Sequence, residues 1–395
     1  MSTTLVRSDL DPFSDEFLAE PYGPHEQLRE AGPVVWLDKY ELWAMARYAE
    51  VRHCLSDPEV FCSSAGVGIS DFRKEKPWRV PSLLLEADPP EHTRARAVIS
   101  KALSPATVRA LRTTFRAEAD KLVDTLVAAG NFDAITDLAH PYPLKVFSDA
   151  VGLPPDGRQN LHAYGNMVFN VFGPRNHLFA EAVANAEPVR SWIDDRCRLA
   201  ALTPDGLGAR IHAAALEQGL STSDAALLLR SFLSAGVDTT VHALGNAILS
   251  FAQNPAQWSQ LRADPRLLRT ALDEVIRYES PVQTFFRTTT REVDVSGTLI
   301  PAGSKVLLFL GAANRDPRHW EHADQFLLGR KLSGQVAFGF GIHACVGAVM
   351  ARLEGEVLLA ALADRVSSFT ITGPPVRLLN NTLRGLTSLP MRVEP

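Results

Sequence analysis

The residue pattern predicts a mainly α protein with a small β region, built as a single domain over residues 1–395. Apolar residues recur at helical spacing through most of the chain, whereas strand-like alternation is confined to two short zones and the C-terminal tail. No internal repeat, low-complexity tract or long linker divides the sequence.

In chain order, residues 34–45 read as strand. Ser104-Pro105 is a helix N-cap followed by a first-turn proline, and the stretch it opens carries Val108, Leu111, Phe115, Leu122 and Leu126 before stopping at Gly130. Helical patterns follow over 159–172 and over about 176–202. The longest runs over 224–252, with Leu228, Phe232, Leu244, Ile248 and Phe251 at its apolar positions and Pro255 closing it. A further helix covers 267–278. Short strands with Val293, Val295, Leu299, Val306 and Leu308 occupy 288–309, broken by the turn residues Ser296-Gly297 and Pro301-Ala302-Gly303. An apolar helix over 346–362 and an extended tail over 369–393 complete the chain.

Composition excludes several classes. Hydrophobic residues make up 46% and charged residues 22%, as in an ordinary soluble globular protein. Forty basic against 45 acidic residues leave a formal charge of −5, which gives nucleic acid no electrostatic footing. Residues 1–15 lack the apolar run of a signal peptide or membrane anchor, so no membrane association is expected and the cytoplasm is the expected location. Cys54, Cys62, Cys197 and Cys345 show no CxxC spacing, so neither a zinc site nor a disulfide framework is expected, and the first three read as inert packing residues.

Cys345 is different. It stands in Phe338-Gly339-Phe340-Gly341-Ile342-His343-Ala344-Cys345-Val346-Gly347, immediately before an apolar helix whose N-terminal dipoles stabilise a thiolate. This F-G-x-G-x-H-x-C-x-G run is similar at every defined position to the haem-binding loop of the cytochrome P-450 family. There the cysteine thiolate is the axial ligand of haem iron and pushes electron density toward bound oxygen.

The resemblance covers essentially the whole chain and implies the triangular P-450 fold, with haem b (iron protoporphyrin IX) buried between the 224–252 helix and the Cys345 loop. Glu274 and Arg277, three apart on one helical face, and Arg330 of Phe326-Leu327-Leu328-Gly329-Arg330 resemble the family's structural triad, although Ala323 and Leu327 depart from its usual proline and aspartate. Ala235-Gly236-Val237-Asp238-Thr239-Thr240 resembles the A-G-x-D-T segment. Glycine there leaves room for dioxygen, and a helix-interior threonine competes for backbone carbonyls. Asp238 and Thr239 are the implied proton-relaying pair. The same alignment implies His92, Arg96, Arg287 and His343 as partners of the haem propionates.

Ser234 and Ser231 lie four and seven residues before Asp238, on the same helical stripe. Hydroxyls with a nearby arginine suit a carboxylate, and Arg79 and Ser82 of Pro77-Trp78-Arg79-Val80-Pro81-Ser82 are placed to complete such a clasp. These segments, with Phe169 and Phe172 as an aromatic wall and Val282 and Phe285 as the floor above the haem, look like those of the soluble bacterial subfamily that oxidises para-substituted benzoates such as 4-methoxybenzoate. That likeness implies a monooxygenase that uses dioxygen to O-demethylate or hydroxylate a small aromatic carboxylic acid. A ferredoxin and its NAD(P)H-dependent reductase would supply electrons by docking near Cys345, where Arg94, Arg96 and Lys101 offer positive charge. Two alternatives stay open: a P-450 oxidising an uncharged terpenoid or fatty substrate, with the serines structural, and a non-catalytic haem-binding sensor or carrier. A peroxide-driven variant is disfavoured by the intact acid and alcohol.

Overall fold

The computed structural model describes residues 5–395; the first four residues of the opening segment lie outside them. The main core lies among the helices Arg112–Ala129, Leu207–Glu217, Thr222–Gly236, Asp238–Gln253, Leu268–Glu279 and Ala348–Ala363. One sheet orders its strands as Arg7–Ser8, Val35–Leu37, Leu42–Met45, Lys305–Phe309, Thr284–Thr289 and Phe61–Cys62. Lys305–Phe309 runs parallel to Leu42–Met45 and antiparallel to Thr284–Thr289. Smaller sheets join Asn131–Asp133 to the C-terminal strand Pro390–Glu394 and pair Val376–Leu378 with Gly385–Ser388. The fold is thus mainly helical with a small β region, as the sequence predicts.

Several long helices are interrupted. The 104–130 stretch divides into Pro105–Ala110 and Arg112–Ala129, because Leu111 N–H bonds the carbonyl of Val108 in a tightened turn. Ser104 caps it as read, accepting from Thr107 N at 3.3 Å. The expected 176–202 helix is four pieces, His177–Ala186, Glu187–Val189, Arg190–Arg196 and Leu199–Ala201. Pro188 has no N–H to carry a continuous ladder across the first break. The 224–252 helix begins at Thr222 behind a capping box of Ser221 and Asp224, and breaks at Val237 into Thr222–Gly236 and Asp238–Gln253. Pro255 takes the first-turn position of the next helix, Pro255–Ala263, rather than simply closing the previous one.

Glu274 and Arg277 meet as the spacing predicts. Arg277 Nε donates to Glu274 Oε2 at 2.7 Å and its terminal nitrogens to Glu274 Oε1 and the carbonyls of Asn314, Ala323 and Gln325 at 2.8–2.9 Å. Arg330 Nε adds 3.3 Å to Glu274 Oε1, and Leu327 N–H donates to the same oxygen at 2.9 Å. The Arg277 side chain is 0% exposed. Removing one member of a buried pair leaves the other charge unpaired, which costs about 3–5 kcal/mol. Arg277→Ala is therefore expected to lower unfolding stability by about that amount in urea titrations, and Arg330→Ala by less, since Arg277 still neutralises Glu274.

Candidate active site

A cavity of about 1750 Å³, part of it open to solvent, lies between the Thr222–Gly236 and Asp238–Gln253 helices and the 338–347 loop. The loop is shaped by two left-handed glycines, Gly339 at φ 69° and Gly341 at φ 67°; a Cβ on Gly341 would sit 2.4 Å from the Leu55 carbonyl. Cys345 N–H donates to Phe338 O at 2.7 Å, which turns the side chain onto the cavity. The helix itself starts at Ala348, so Val346 and Gly347 belong to the loop rather than to the helix. Burial pushes the Cys345 thiol up, while the amides of Gly347 and Ala348 and the charges of Arg96 and Arg352 pull it down. The other three cysteines are buried, and burial pushes Cys54 and Cys197 well up, the latter to about 12, as befits inert thiols.

His92, Arg96, Arg287 and His343 all line this cavity. His92 and Arg96 come from one face of the helix Glu91–Ala102, and the His92 and His343 rings lie 4.3 Å apart. Nε2 of each histidine is buried without a hydrogen-bond partner. Arg287 is buried, donates to the Phe286 carbonyl, and burial holds it down to about 10. Among the described residues it forms no ion pair. A thiol on one wall, orphaned imidazole nitrogens and an unmatched guanidinium at the rim are the donor set that an iron porphyrin with two propionates requires.

The helix break shapes the opposite wall. Thr239 lines the cavity and its Oγ1 donates to Ala235 O at 2.8 Å, the carbonyl competition read from the sequence. Gly236 lines the cavity as expected, and its bareness serves a second purpose, since a Cβ there would meet the Phe147 ring at 2.2 Å. Asp238 does not line the cavity. Its carboxylate points toward the helix Asn160–Asn170, where Oδ1 lies 2.7 Å from His162 Nδ1 and a Cβ on Gly165 would meet Oδ2 at 2.4 Å. Burial raises its pKa, opposed by His162. The sequence carries no signal for His162, which lies 76 residues away. His162 is 20% exposed and its ring is 4.4 Å from that of His140. Glu354 was likewise missed; it lines the cavity with Oε2 unpartnered, and burial lifts its pKa well above the ordinary value.

Arg79, Ser82, Phe169, Phe172, Ser231, Ser234, Val282 and Phe285 all reach the cavity. Phe172 stands 5.9 Å from both Phe169 and Phe285, edge-on to the first. Ser82 Oγ lies 2.8 Å from Ser231 Oγ, which itself donates to Leu227 O, and Ser234 Oγ donates to Ser231 O at 3.0 Å. Arg79 is engaged by a residue the sequence reading did not single out: Glu86 Oε2, 3.2 Å away, which also accepts from Ser82 N. Arg79 Nε remains buried and unpartnered. Arg230, next to Ser231, donates to Val80 O at 2.6 Å.

The positive docking face is thinner than expected. Arg96 turns inward and donates to the Ala344 carbonyl, and Lys101 pairs with Glu217, which leaves Arg94 exposed.

The family model described as Cytochrome P450 matches residues 201–390. The chain is 55% identical over 387 residues to cytochrome p450 CYP199A2 of Rhodopseudomonas palustris, covering 98% of this chain and 94% of that one. It is 32% identical over 409 residues to the cytochrome P450 monooxygenase PikC of Streptomyces venezuelae, covering 97% and 94%. Among solved structures, cytochrome P450 CREJ in complex with (4-ethylphenyl) dihydrogen phosphate matches with a TM-score of 0.85 at 25% identity, over 97% of this chain and 99% of that one. Among the described residues no helix is long and apolar enough to cross a membrane.

His140 and His242, on either side of the Asp238 cluster, are held down to about 4, by burial first and by His162 second. An unfolded imidazole titrates at 6.5, so between those values the unfolded chain binds the extra protons. The stability carried by the two neutral rings is complete above 6.5 and lost as pH falls toward 4. Urea midpoints are expected to drop across that window, and His242→Asn to flatten the slope; an unaltered slope would remove His242 from the linkage.

Proposed function

This chain belongs to the cytochrome P450 family and is a haem b-dependent monooxygenase; from that premise we propose that it oxidises para-substituted benzoic acids, by O-demethylation or hydroxylation at the para position. The polarity of the cavity carries this reading. Its walls are apolar, and one end holds the Ser82–Ser231 hydroxyl pair beside a buried guanidinium whose Nε has no partner. Thr239 lies eight residues further on, just past the helix break at Val237, and lines the same cavity. An anion held by the serines and Arg79 leaves a flat ring beside Phe169, Phe172 and Phe285, with its para substituent directed toward Thr239. The complex of P450 CREJ with a para-substituted aryl phosphate is a related pairing of ring and anion in the same fold.

The chain acts as one domain, in which Cys345 would bind the haem iron and His92, Arg96, Arg287 and His343 would hold the propionates. When bound, the haem supplies oxygen activation, with thiolate electron density behind it. The protein supplies position and protons. Thr239 Oγ1 is an exchangeable hydroxyl on the cavity wall, and Asp238 beside it hydrogen-bonds His162 Nδ1, on a ring that is 20% exposed and whose Nε2 is buried without a partner. Electrons arrive from a ferredoxin and its NAD(P)H-dependent reductase in the cytoplasm. The partner docks near the Cys345 loop, where Arg94 and the 43% exposed Val349 lie outward.

One observation favours an uncharged terpenoid or fatty substrate instead. Glu86 already neutralises Arg79, and the Ser231 and Ser234 protons go to main-chain carbonyls. Binding measurements separate the two readings. Titration with 4-methoxybenzoate is expected to shift the Soret band at micromolar ligand, and 4-methoxybenzamide to bind about tenfold or more weaker, the cost of a lost charged hydrogen bond. Arg79→Ala should erase that preference. Equal affinities for acid and amide would favour the uncharged reading. Cys345→Ala should abolish the thiolate signature of the reduced, carbon monoxide-bound protein; its survival would remove Cys345 as ligand.

A further inference from the structure

Lys305 opens the strand Lys305–Phe309, and its ammonium is directed wholly at main chain. Nζ donates to the carbonyls of Ala65 at 3.1 Å, Gly66 at 2.8 Å and Gly68 at 3.0 Å. An ammonium has three donors, and all three are matched. Asp71, the acid whose charge acts on Lys305, is committed to Arg73 at 2.8 and 2.9 Å. Burial pulls Lys305 down to about 8, with Asp71 opposing and Arg73 and Arg287 adding to the fall. Three carbonyl oxygens turned toward one point repel each other unless a cation lies among them.

The segment that supplies these oxygens is stitched to the cavity wall. Gly66 adopts φ 95°, and a Cβ on Gly68 would lie 2.7 Å from the Cα of Phe172, so the two backbones cross in contact. Ile69 N–H donates to Phe172 O at 2.8 Å, and Phe286 N–H to Val67 O at 3.0 Å. Phe172 and Phe285, the neighbour of Phe286, are adjacent rings of the cavity wall, 5.9 Å apart at their centroids.

We infer that Lys305 is a built-in cation that positions the aromatic wall: it gathers the carbonyls of residues 65, 66 and 68, and through Val67 and Ile69 this fixes the strand of Phe285 and the backbone of Phe172. It is a positioning residue, and removing its side chain leaves a three-carbonyl cradle fit for ammonium or potassium from solution. The inference rests on the cavity being the haem pocket, and not on benzoate as substrate.

The test uses haem-loaded wild type, Lys305→Ala and Lys305→Gln in buffers whose only cation is tetramethylammonium, which is too large for the cradle. Two readouts are taken: hydrogen exchange of the Ile69 amide, and Soret titrations with imidazole and 4-phenylimidazole. In Lys305→Ala, Ile69 exchange should quicken and 4-phenylimidazole should bind about tenfold weaker, while imidazole, too small to need the wall, binds unchanged. Ammonium or potassium chloride should reverse both effects in Lys305→Ala and alter nothing in wild type. Lys305→Gln, with N–H donors but no charge, should show part of the loss and no response to cations. Wild-type exchange and affinity in Lys305→Ala or Lys305→Gln, or a loss in Lys305→Ala shared by both imidazoles and indifferent to cations, would overturn the proposal.

Discussion

Arg277 has five N–H donors and five acceptors, with its side chain closed off from water. Two bonds go to Glu274 one helical turn away, and three reach the carbonyls of Asn314, Ala323 and Gln325 in the irregular chain ahead of the cysteine loop. Asn314 extends the connection, since its side-chain oxygen accepts from Val336 N at 2.9 Å and its amide donates to Ser280 Oγ. Gly339 N–H then bonds Val336 O, and Cys345 N–H bonds Phe338 O. A continuous path of hydrogen bonds therefore runs from a buried guanidinium to the residue that faces the cavity. Loops are ordinarily mobile; this one is placed by a charge that has nowhere else to spend its donors.

The cavity has two ends of different chemistry. The rim near Cys345 concentrates groups that suit an anion: His92 Nε2, His343 Nε2 and Arg287. The far end holds a guanidinium already balanced by Glu86, with two hydroxyls bonded to each other. The difference is energetic. An unmatched buried arginine calls for a full counter-charge, whereas a paired arginine contributes direction and a residual donor. Asp238 and Thr239, adjacent in sequence, diverge in the same economy of space: the threonine faces the cavity and the acid faces His162.

Much of this was legible beforehand because it is local or tied to a motif. The Glu274–Arg277 pair follows from three-residue spacing on a helix, the Ser104 and Gly130 helix ends from capping chemistry, and the Cys345 loop from its glycines. What escaped were breaks and long-range partners. Leu111 interrupts a helix at a residue with ordinary helical propensity, so no local preference announces it, whereas the break at Val237 lies where Thr239 was read as competing for carbonyls. Gly236 faces the cavity as read, but the close approach of Phe147 from another helix, which also demands a glycine there, left no trace in the sequence. Arg96 and Lys101 read as surface charge, but one turns inward to Ala344 and the other is neutralised by Glu217.

By itself the sequence determined the helical class, the thiol loop and the buried ion pair, because each depends on spacing within a few turns or on one contiguous motif, whereas the residues expected around the cavity came from the family resemblance. Only the tertiary structure decided which way those side chains point and what already occupies their donors: Asp238 to His162, Arg79 to Glu86, Lys305 to three carbonyls. The physical reason is that a polar group's availability is set by its whole neighbourhood. Partners dozens to hundreds of residues away compete for the same proton, and no pattern along one strand of chain records that competition.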